Sequence, residues 1–377
     1  MVTYPKEWQI KSVSEFAAIG TGCRDTQDNV VGGIYPFFVR SNNIESINIA
    51  DYECEAVLTA GDGVGTGKVF HYINGKFAAH QRVYVIRDFS GISGKYFYYF
   101  FSNNFRKEVE KYTAKSSVDS VRRAMIADME VPIPSVSEQQ KIVAALSDVD
   151  ELILNLEKLI EKKTAIKQGV MQELLSGKRR LDGFSAVWKQ SPLSDICKVY
   201  DGTHQTPTYT SQGVRFVSVE NIEDIYESNK YISEHDFYLG FKATPEPGDI
   251  LMTRIGDIGT STVVTKKERL AYYVSLALFK EIKINSHFLN HYIMSSEFKK
   301  GLDERTLHHA TPKKINKGEI GKCVVRYPED ISEQKAIAEV LDDFSHDILQ
   351  LTQQRNKCLS LKQGMMNELL TGRTRLI

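Results

Sequence analysis

SEQQKIVAALSDVDELILNLEKLIEKKTAIKQGVMQELLSGKRRL, Ser137 to Leu181, decides the fold of this chain, because it occurs twice. SEQKAIAEVLDDFSHDILQLTQQRNKCLSLKQGMMNELLTGRTRL, Ser332 to Leu376, aligns with it at a constant offset of 195 without a gap, and 20 of the 45 positions are identical. A period this long excludes short-repeat solenoids. Each copy closes a half-chain, so the order is block, helix, block, helix. A chain doubled in this way presents two similar modules to something that itself has two sites.

The repeat reads as a long helix with a coiled-coil seam. Ile142, Val149 and Leu156 take heptad position a, with Leu146, Ile153 and Ile160 at d. The second copy places Ile337, Phe344, Leu351 and Cys358 at a, Leu341 and Ile348 at d, and then a polar Arg355. Such spacing over about three heptads is the signature of paired helices. Ser137 with Gln140 has the form of a capping box, and Ser332 is placed to cap the second copy, with Glu333 in the first turn. Gly177 and Gly372 stand where a glycine would end each helix. From Ser137 to Leu175 the helix would be roughly 58 Å long at ~1.5 Å per residue. Gly169 and Gly364 recur inside it at a cost of about 1 kcal/mol relative to alanine, which suggests close approach of another backbone, a kink, or inheritance from a duplicated ancestor.

Connectivity orients the pair. The first helix delivers the chain to the second block, and the second can bury its seam against the first only by running back. The expected result is one antiparallel rod with a block at each end and a pseudo-two-fold axis. The blocks are themselves related. Trp8 and Trp188 open them, and Gly22 matches Gly202. FVRSNNI (38–44) resembles FVSVENI (216–222), Gly65-Thr66 matches Gly259-Thr260, and YYFFSNNFRK (98–107) resembles HYIMSSEFKK (291–300). RVYVIR and TSTVV alternate as strands do, and the segments ending at Lys107 and Lys300 read as helix, so each block is mixed α and β. Scaffold segments match between the halves while the loops between them differ.

Composition is that of an ordinary soluble globular protein, with 42% hydrophobic and 25% charged residues in 377. No run reaches the ~18 apolar residues of a membrane span. Five scattered cysteines, never spaced CxxC, disfavour a disulfide framework and a zinc cluster and fit a cytoplasmic location. Net charge is zero, yet cations are concentrated twice. Residues 105–123 hold six basic and three acidic side chains, and residues 299–322 hold seven and three, each just upstream of its helix.

Catalytic motifs are missing. GDGVGTGKV (61–69) resembles a phosphate loop but places Asp62 and Val69 where a Walker A motif needs other residues, and it fits no GxGxxG register. It reads as a glycine-rich turn joining strands. PEDISEQK (328–335) resembles a nuclease fragment, but its acids crowd a helix start, and the first copy has Gln140 in place of Lys335. No methyltransferase NPPY or DPPY motif, nucleophile triad or metal spacing occurs. For nucleic acid the materials are present, since base readers need Arg, Lys, Asn or Gln on loops and phosphate clamps need cations or hydroxyls. The first block offers Arg24, Arg40, Asn43, Lys68, Gln81, Arg82, Lys115, Arg122 and Arg123, with Asn42 and His80 beside them. The second offers His204, Gln205, Thr206, Asn221, Arg254, Lys313, Lys314 and Lys317.

Two divergent blocks, each followed by a copy of the same long helix, resemble the specificity (S) subunit of type I restriction-modification systems. The resemblance spans the whole chain and rests on PIPSVSEQQKIVAALSDVDELI, the KQGxMxELLxG pair, AGDGVGTGKVFHYINGKFAAHQRVYVIR and GDILMTRIGDIGTS. It implies an α+β chain of two mixed α/β target recognition domains, residues 1–135 and 182–330. Two long antiparallel helical segments, residues 136–181 and 331–377, would join them as a coiled coil. It further implies a non-catalytic protein in phage defence, whose domains each read half of a bipartite, asymmetric site in double-stranded DNA. The helices would set the spacer and dock two modification (methyltransferase) subunits, with restriction (translocase/nuclease) subunits joining them. No cofactor is expected on this chain and no membrane partner; S-adenosylmethionine and ATP would belong to the partner subunits. Two other readings stay open at this point, a bipartite protein scaffold that binds no DNA and a degenerate enzyme pair.

Overall fold

The structure, a computed structural model, describes residues 4–113 and 120–377. The chain divides into two compact units, Met1–Glu157 with Gln353–Ile377, and Lys158–Thr352.

The first unit contains β1 (Gln9–Ser12), β2 (Ala18–Thr21), β3 (Tyr35–Phe38), β4 (Ile44–Ile47), β5 (Tyr52–Ala60), β6 (Phe70–Ala79) and β7 (Val83–Arg87). Then come α1 (Gly94–Thr113), α2 (Arg123–Ala127), β8 (Glu130–Ile133) and the start of α3 (Val136–Leu175). Six strands form one sheet in the order β2-β7-β5-β6-β3-β4, and β1 pairs separately with β8. The sheet follows from alternating apolar runs such as VYVIR, whose Val83, Val85 and Ile86 are buried. The glycine-rich 61–69 stretch is the connection between β5 and β6, as its sequence suggests. Helix α1 covers the sheet with aromatics four residues apart, Phe97, Phe101 and Phe105, which fall on one helical face. The rings of Phe101 and Phe105 stack at 4.3 Å, and the face packs on Val57 and Ile86.

The second unit takes over at Lys158 within α3 and continues with β9 (Trp188–Pro192), α4 (Leu193–Ile196), β10 (Lys198–Asp201), β11 (Tyr209–Thr210), β12 (Val214–Val217) and β13 (Tyr231–Ile232). Next are α5 (Glu234–Gly240), β14 (Ile250–Thr253), β15 (Ser261–Val263), β16 (Leu270–Tyr272) and β17 (Leu276–Lys280). Helices α6 (Ser286–Ile293), α7 (Ser296–Asp303) and α8 (Lys317–Gly321), strand β18 (Val324–Pro328) and α9 (Ile331–Leu369) complete it, with α9 leaving the unit after Thr352. Its strands form two four-stranded sheets, β10-β17-β14-β15 and β11-β13-β12-β16, and β18 pairs with β9. The segment expected to match α1 is broken here into α6 and α7. Ser295 caps α7, its Oγ accepting from the Phe298 N–H at 3.3 Å while donating to the Tyr292 carbonyl. At the corresponding place Ser102 makes the same donation, to the Tyr99 carbonyl, but stays inside α1.

The long helices start two residues earlier than their sequence caps suggest. Helix α3 begins at Val136 with Ser135 Oγ accepting from Glu138 N–H, and in α9 Asp330 accepts from Ser332 N–H at 2.8 Å. Ser137 and Ser332 therefore cap nothing, and the expected capping box with Gln140 does not form. The residues that follow the two serines do something else. The Glu138 side chain is 1% exposed and that of Glu333 0%. Arg375 binds Glu138 through Nε and NH2 at 2.6 and 2.9 Å, and Arg180 binds Glu333 in the same way at 2.5 and 2.6 Å. Each guanidinium also lies over a tryptophan ring, Arg375 on Trp8 and Arg180 on Trp188. In each unit, then, the tail following one long helix clamps the first turn of the other. Gln139 and Gln334 extend the symmetry, each donating to a proline carbonyl and accepting from the N–H that precedes a block helix.

Within the first unit, Glu138 pairs with Arg375 and Asp150 with Lys362, so α3 and α9 run antiparallel there. Within the second, Lys163 pairs with Asp347 and Lys167 donates to Ser345, with the same sense. Ile142, Leu146, Leu369 and Leu370 join the first unit's core, and their counterparts Ile337, Leu341, Leu174 and Leu175 join the second's. Gly177 and Gly372 end the helices with φ of 71° and 68°, as a terminating glycine should. Gly169 and Gly364 depart from the reading of close approach, because a Cβ on either would meet open space.

Candidate nucleic-acid interface

In the first unit, loops following four strands converge. Arg24 and His80 form a parallel bridge, and the Gln81 N–H donates to the Arg24 carbonyl. The Gly61 N–H donates to the Arg82 carbonyl, and Asp62 bridges to Ser120 next to Arg122. This frame gathers Arg24, Arg40, Gln81, Arg82 and Arg122 around residues 61–63. Thr26, Arg40, Asp62 and Val64 line a cleft of about 330 Å³ there. Asn43 is exposed on the turn between β3 and β4, Lys68 is exposed further along the 61–69 loop, and Arg123 is exposed at the start of α2. Lys115 lies outside the described residues.

Ion pairing sorts these cations. Arg24 spends Nε and NH2 on Asp51, and this bonding holds the Asp51 carboxyl below its usual range. One edge of its guanidinium is therefore spent on bracing the loop. Arg40 and Arg82 each give one nitrogen to Asp62, at 2.7 and 2.5 Å. Burial pushes the Asp62 carboxyl up, but the two guanidiniums outweigh it and leave it below its ordinary value. The Lys68, Arg122 and Arg123 side chains make no ion pair among the described residues. Gln81 donates to Asp25 at 3.0 Å. Burial lowers the His80 pKa, helped by nearby Arg40, and favours the neutral ring.

In the second unit, the end of β10, the end of β14 and residues 313–317 converge. The Gly256 N–H donates to the Lys313 carbonyl, and Lys314 bridges to both Ile255 and Leu307. His204, Gln205 and Thr206 are exposed on the loop after β10, beside a cleft of about 340 Å³ lined by Gln205, Thr206 and Thr208. The side chains of Lys313 and Lys314 are exposed and make no ion pair among the described residues, whereas Lys317 lies 3.8 Å from Asp201. Two expected readers are engaged within the protein. Arg254, 6% exposed, binds Asp201 and donates to the Ile315 carbonyl, which ties β14 to the 313–317 segment. Asn221 accepts from the Ser218 N–H and closes a turn. A buried arginine beside a carboxylate and an asparagine three residues after a serine are both local solutions for unsatisfied polar groups.

The two clusters differ in residue type, while the helices beside them keep the same buried residues. The family described as "Type I restriction modification DNA specificity domain" matches residues 5–168 and 186–361. This chain belongs to that family. Among its specificity-subunit relatives, that of the MjaVIII enzyme of Methanocaldococcus jannaschii is 23% identical, covering 99% of this chain and 94% of its own. That of the EcoDI enzyme of Escherichia coli is 29% identical over a shorter stretch, 46% of this chain and 39% of its own. The fold is that of a crystallised type I S subunit from M. genitalium, with a TM-score of 0.68, 16% identity and 96% of each chain covered. A chain described under complex assembly and conformational transition of the type I R-M system superposes with a TM-score of 0.55 at 14% identity, with 98% of each chain covered.

Sequence reasoning missed the buried Glu–Arg–Trp clamps of this specificity-family chain. The signal was available, since Glu138, Arg180, Glu333 and Arg375 all recur at the 195 offset. It was obscured because Glu beside Ser at a helix start already has a capping explanation.

Proposed function

We propose that this chain is the DNA-specificity subunit of a type I restriction-modification complex and has no chemistry of its own. The first loop cluster reads one half of a bipartite, asymmetric site and the second reads the other. Residues 1–135 and 182–330 are the two target recognition domains, and 136–181 and 331–377 are the paired helical spacer. Methyl transfer, ATP-driven translocation and cleavage belong to two modification subunits and to the restriction subunits that join them. S-adenosylmethionine and ATP bind on those partners.

The observation that carries this reading is the contrast between what repeats and what does not. Core leucines, clamp residues and terminating glycines recur at one offset, whereas the cationic loops do not. A part that is the same twice suits two copies of one methyltransferase; a part that differs suits an asymmetric sequence. Two modules reading one face of DNA sit about 34–36 Å apart, a distance that part of a ~58 Å helix can hold.

Co-expression with the modification subunits followed by methylome sequencing tests it, with a bipartite motif of fixed spacing expected. Matched one-turn insertions near Glu161 in α3 and Leu349 in α9 add about 5.4 Å. They should lengthen the spacer by one or two base pairs and leave both half-sites intact. Unchanged spacing would refute the ruler; an absence of any bipartite motif would refute the function.

A further inference from the structure

Arg40 and Arg82 differ from the other arginines of the two loop clusters. Arg24 has its Nε–NH2 edge paired with both carboxylate oxygens of Asp51, and Arg254 is buried between Asp201 and the Ile315 carbonyl. Arg40 and Arg82 are 44% and 63% exposed, and each contributes NH1 alone to Asp62. The described residues give neither guanidinium another hydrogen-bond partner. Asp62 is only 17% exposed, and its backbone is held between the Ser120 bridge and the Gly61–Arg82 hydrogen bond. One largely buried carboxylate therefore holds two partly free arginine forks, that of Arg40 lining the cleft beside it.

A carboxylate between two arginines is a poor device for gripping phosphate. It cancels one of the two positive charges and repels an approaching anion. It suits a base reader, which needs orientation more than charge. Two donors of a guanidinium match the O6 and N7 acceptors that guanine presents together in the major groove, a pattern no other base shows. Neighbouring cations without ion pairs, Lys68, Arg122 and Arg123, supply the phosphate contacts instead.

We propose that Arg40 and Arg82, oriented by Asp62, each read a guanine in the half-site of the first block. This rests on the DNA-reading function above and names the bases that this block takes. Asp62 is a positioning residue and touches no base.

The test uses the complex with its modification subunits, on duplexes carrying the motif found by methylome sequencing. Each guanine is replaced in turn by 7-deazaguanine, which pairs normally but lacks N7. For the wild type, two replacements in one half-site should weaken binding by roughly 10- to 150-fold each, the loss of one hydrogen bond from a charged donor while O6 keeps the other. Arg82→Ala should lose about as much on the natural site and be indifferent to one of those replacements. Arg40→Ala should behave likewise at the other. Asp62→Asn should erode guanine discrimination at both positions and leave the salt slope of binding unchanged. Unaltered recognition of the other half-site by each variant shows that the chain is folded. A uniform loss on all sequences with the salt slope reduced by about one would make the two arginines phosphate clamps and overturn the proposal. So would a wild type insensitive to every 7-deazaguanine. If the wild-type complex selects no bipartite site at all, the functional reading itself falls, and that result is distinct from either.

Discussion

Removing Arg180 should destabilise this chain more than removing the glutamate it binds. The Glu333 side chain is 0% exposed and Arg180 is 28% exposed. Arg180→Ala thus strands a carboxylate in the protein interior, a change that costs about 3–5 kcal/mol. Glu333→Ala leaves a guanidinium that already reaches water and still donates to the Ala186 carbonyl, so its cost should be about 1–3 kcal/mol. The equivalent Arg375→Ala should fall between them. Glu138 retains the hydrogen bond from Trp8 Nε1 at 3.1 Å, worth about 1.5–3 kcal/mol to a charged group, whereas Trp188 Nε1 is buried without a partner. At roughly 2–4 °C per kcal/mol for a unit of this size, Arg180→Ala should lower Tm by about 6–20 °C. Amide exchange in the first turn of α9 should rise with it. The double substitution Arg180→Ala/Glu333→Ala should be more stable than Arg180→Ala alone, because no charge is left behind. Equal or reversed ranking of Arg180→Ala and Glu333→Ala in thermal melts would refute the argument.

Two further outcomes follow from the same geometry. Gly169→Ala and Gly364→Ala place a methyl group in open space inside a helix, so each should stabilise the chain by about 1 kcal/mol. A fall in Tm for either would mean that the glycine is needed for packing. Lys313→Ala and Lys314→Ala, which remove exposed cations without ion-pair partners, should weaken binding to all DNA sequences alike. Each should flatten the slope of log K against log salt by about 0.9, and an unchanged slope in a fluorescence-anisotropy titration would remove these lysines from the interface.

Much of the architecture can be read along the chain. Alternation in RVYVIR and the aromatic spacing of α1 specify strand and helix locally. The gapless 195-residue repeat marks which helical residues must be the same twice. Leu174 and Leu175 with Leu369 and Leu370 are buried in both units, which is why ELL survives in both copies. The glycine ends of the helices were equally legible, since a left-handed residue after a helix restricts the side chain to almost nothing.

The candidate interface was legible only as a list of residue types. Arg24, Arg40, Arg82 and Arg254 look equivalent in sequence, and what separates them is which carboxylate each meets across the fold. Asp51 is 27 residues from Arg24, and Asp201 is 53 from Arg254. Such partners are chosen when strands and loops are brought together, and no local pattern announces them. The same holds for Glu138 and Arg375, 237 residues apart. What the amino-acid order determined by itself is periodic: strands, helices, their ends and their duplication, all set by interactions within a few residues. What only the tertiary structure decided is which charges are spent on the protein and which remain to meet a ligand. A long-range ion pair depends on where two distant backbones come to lie.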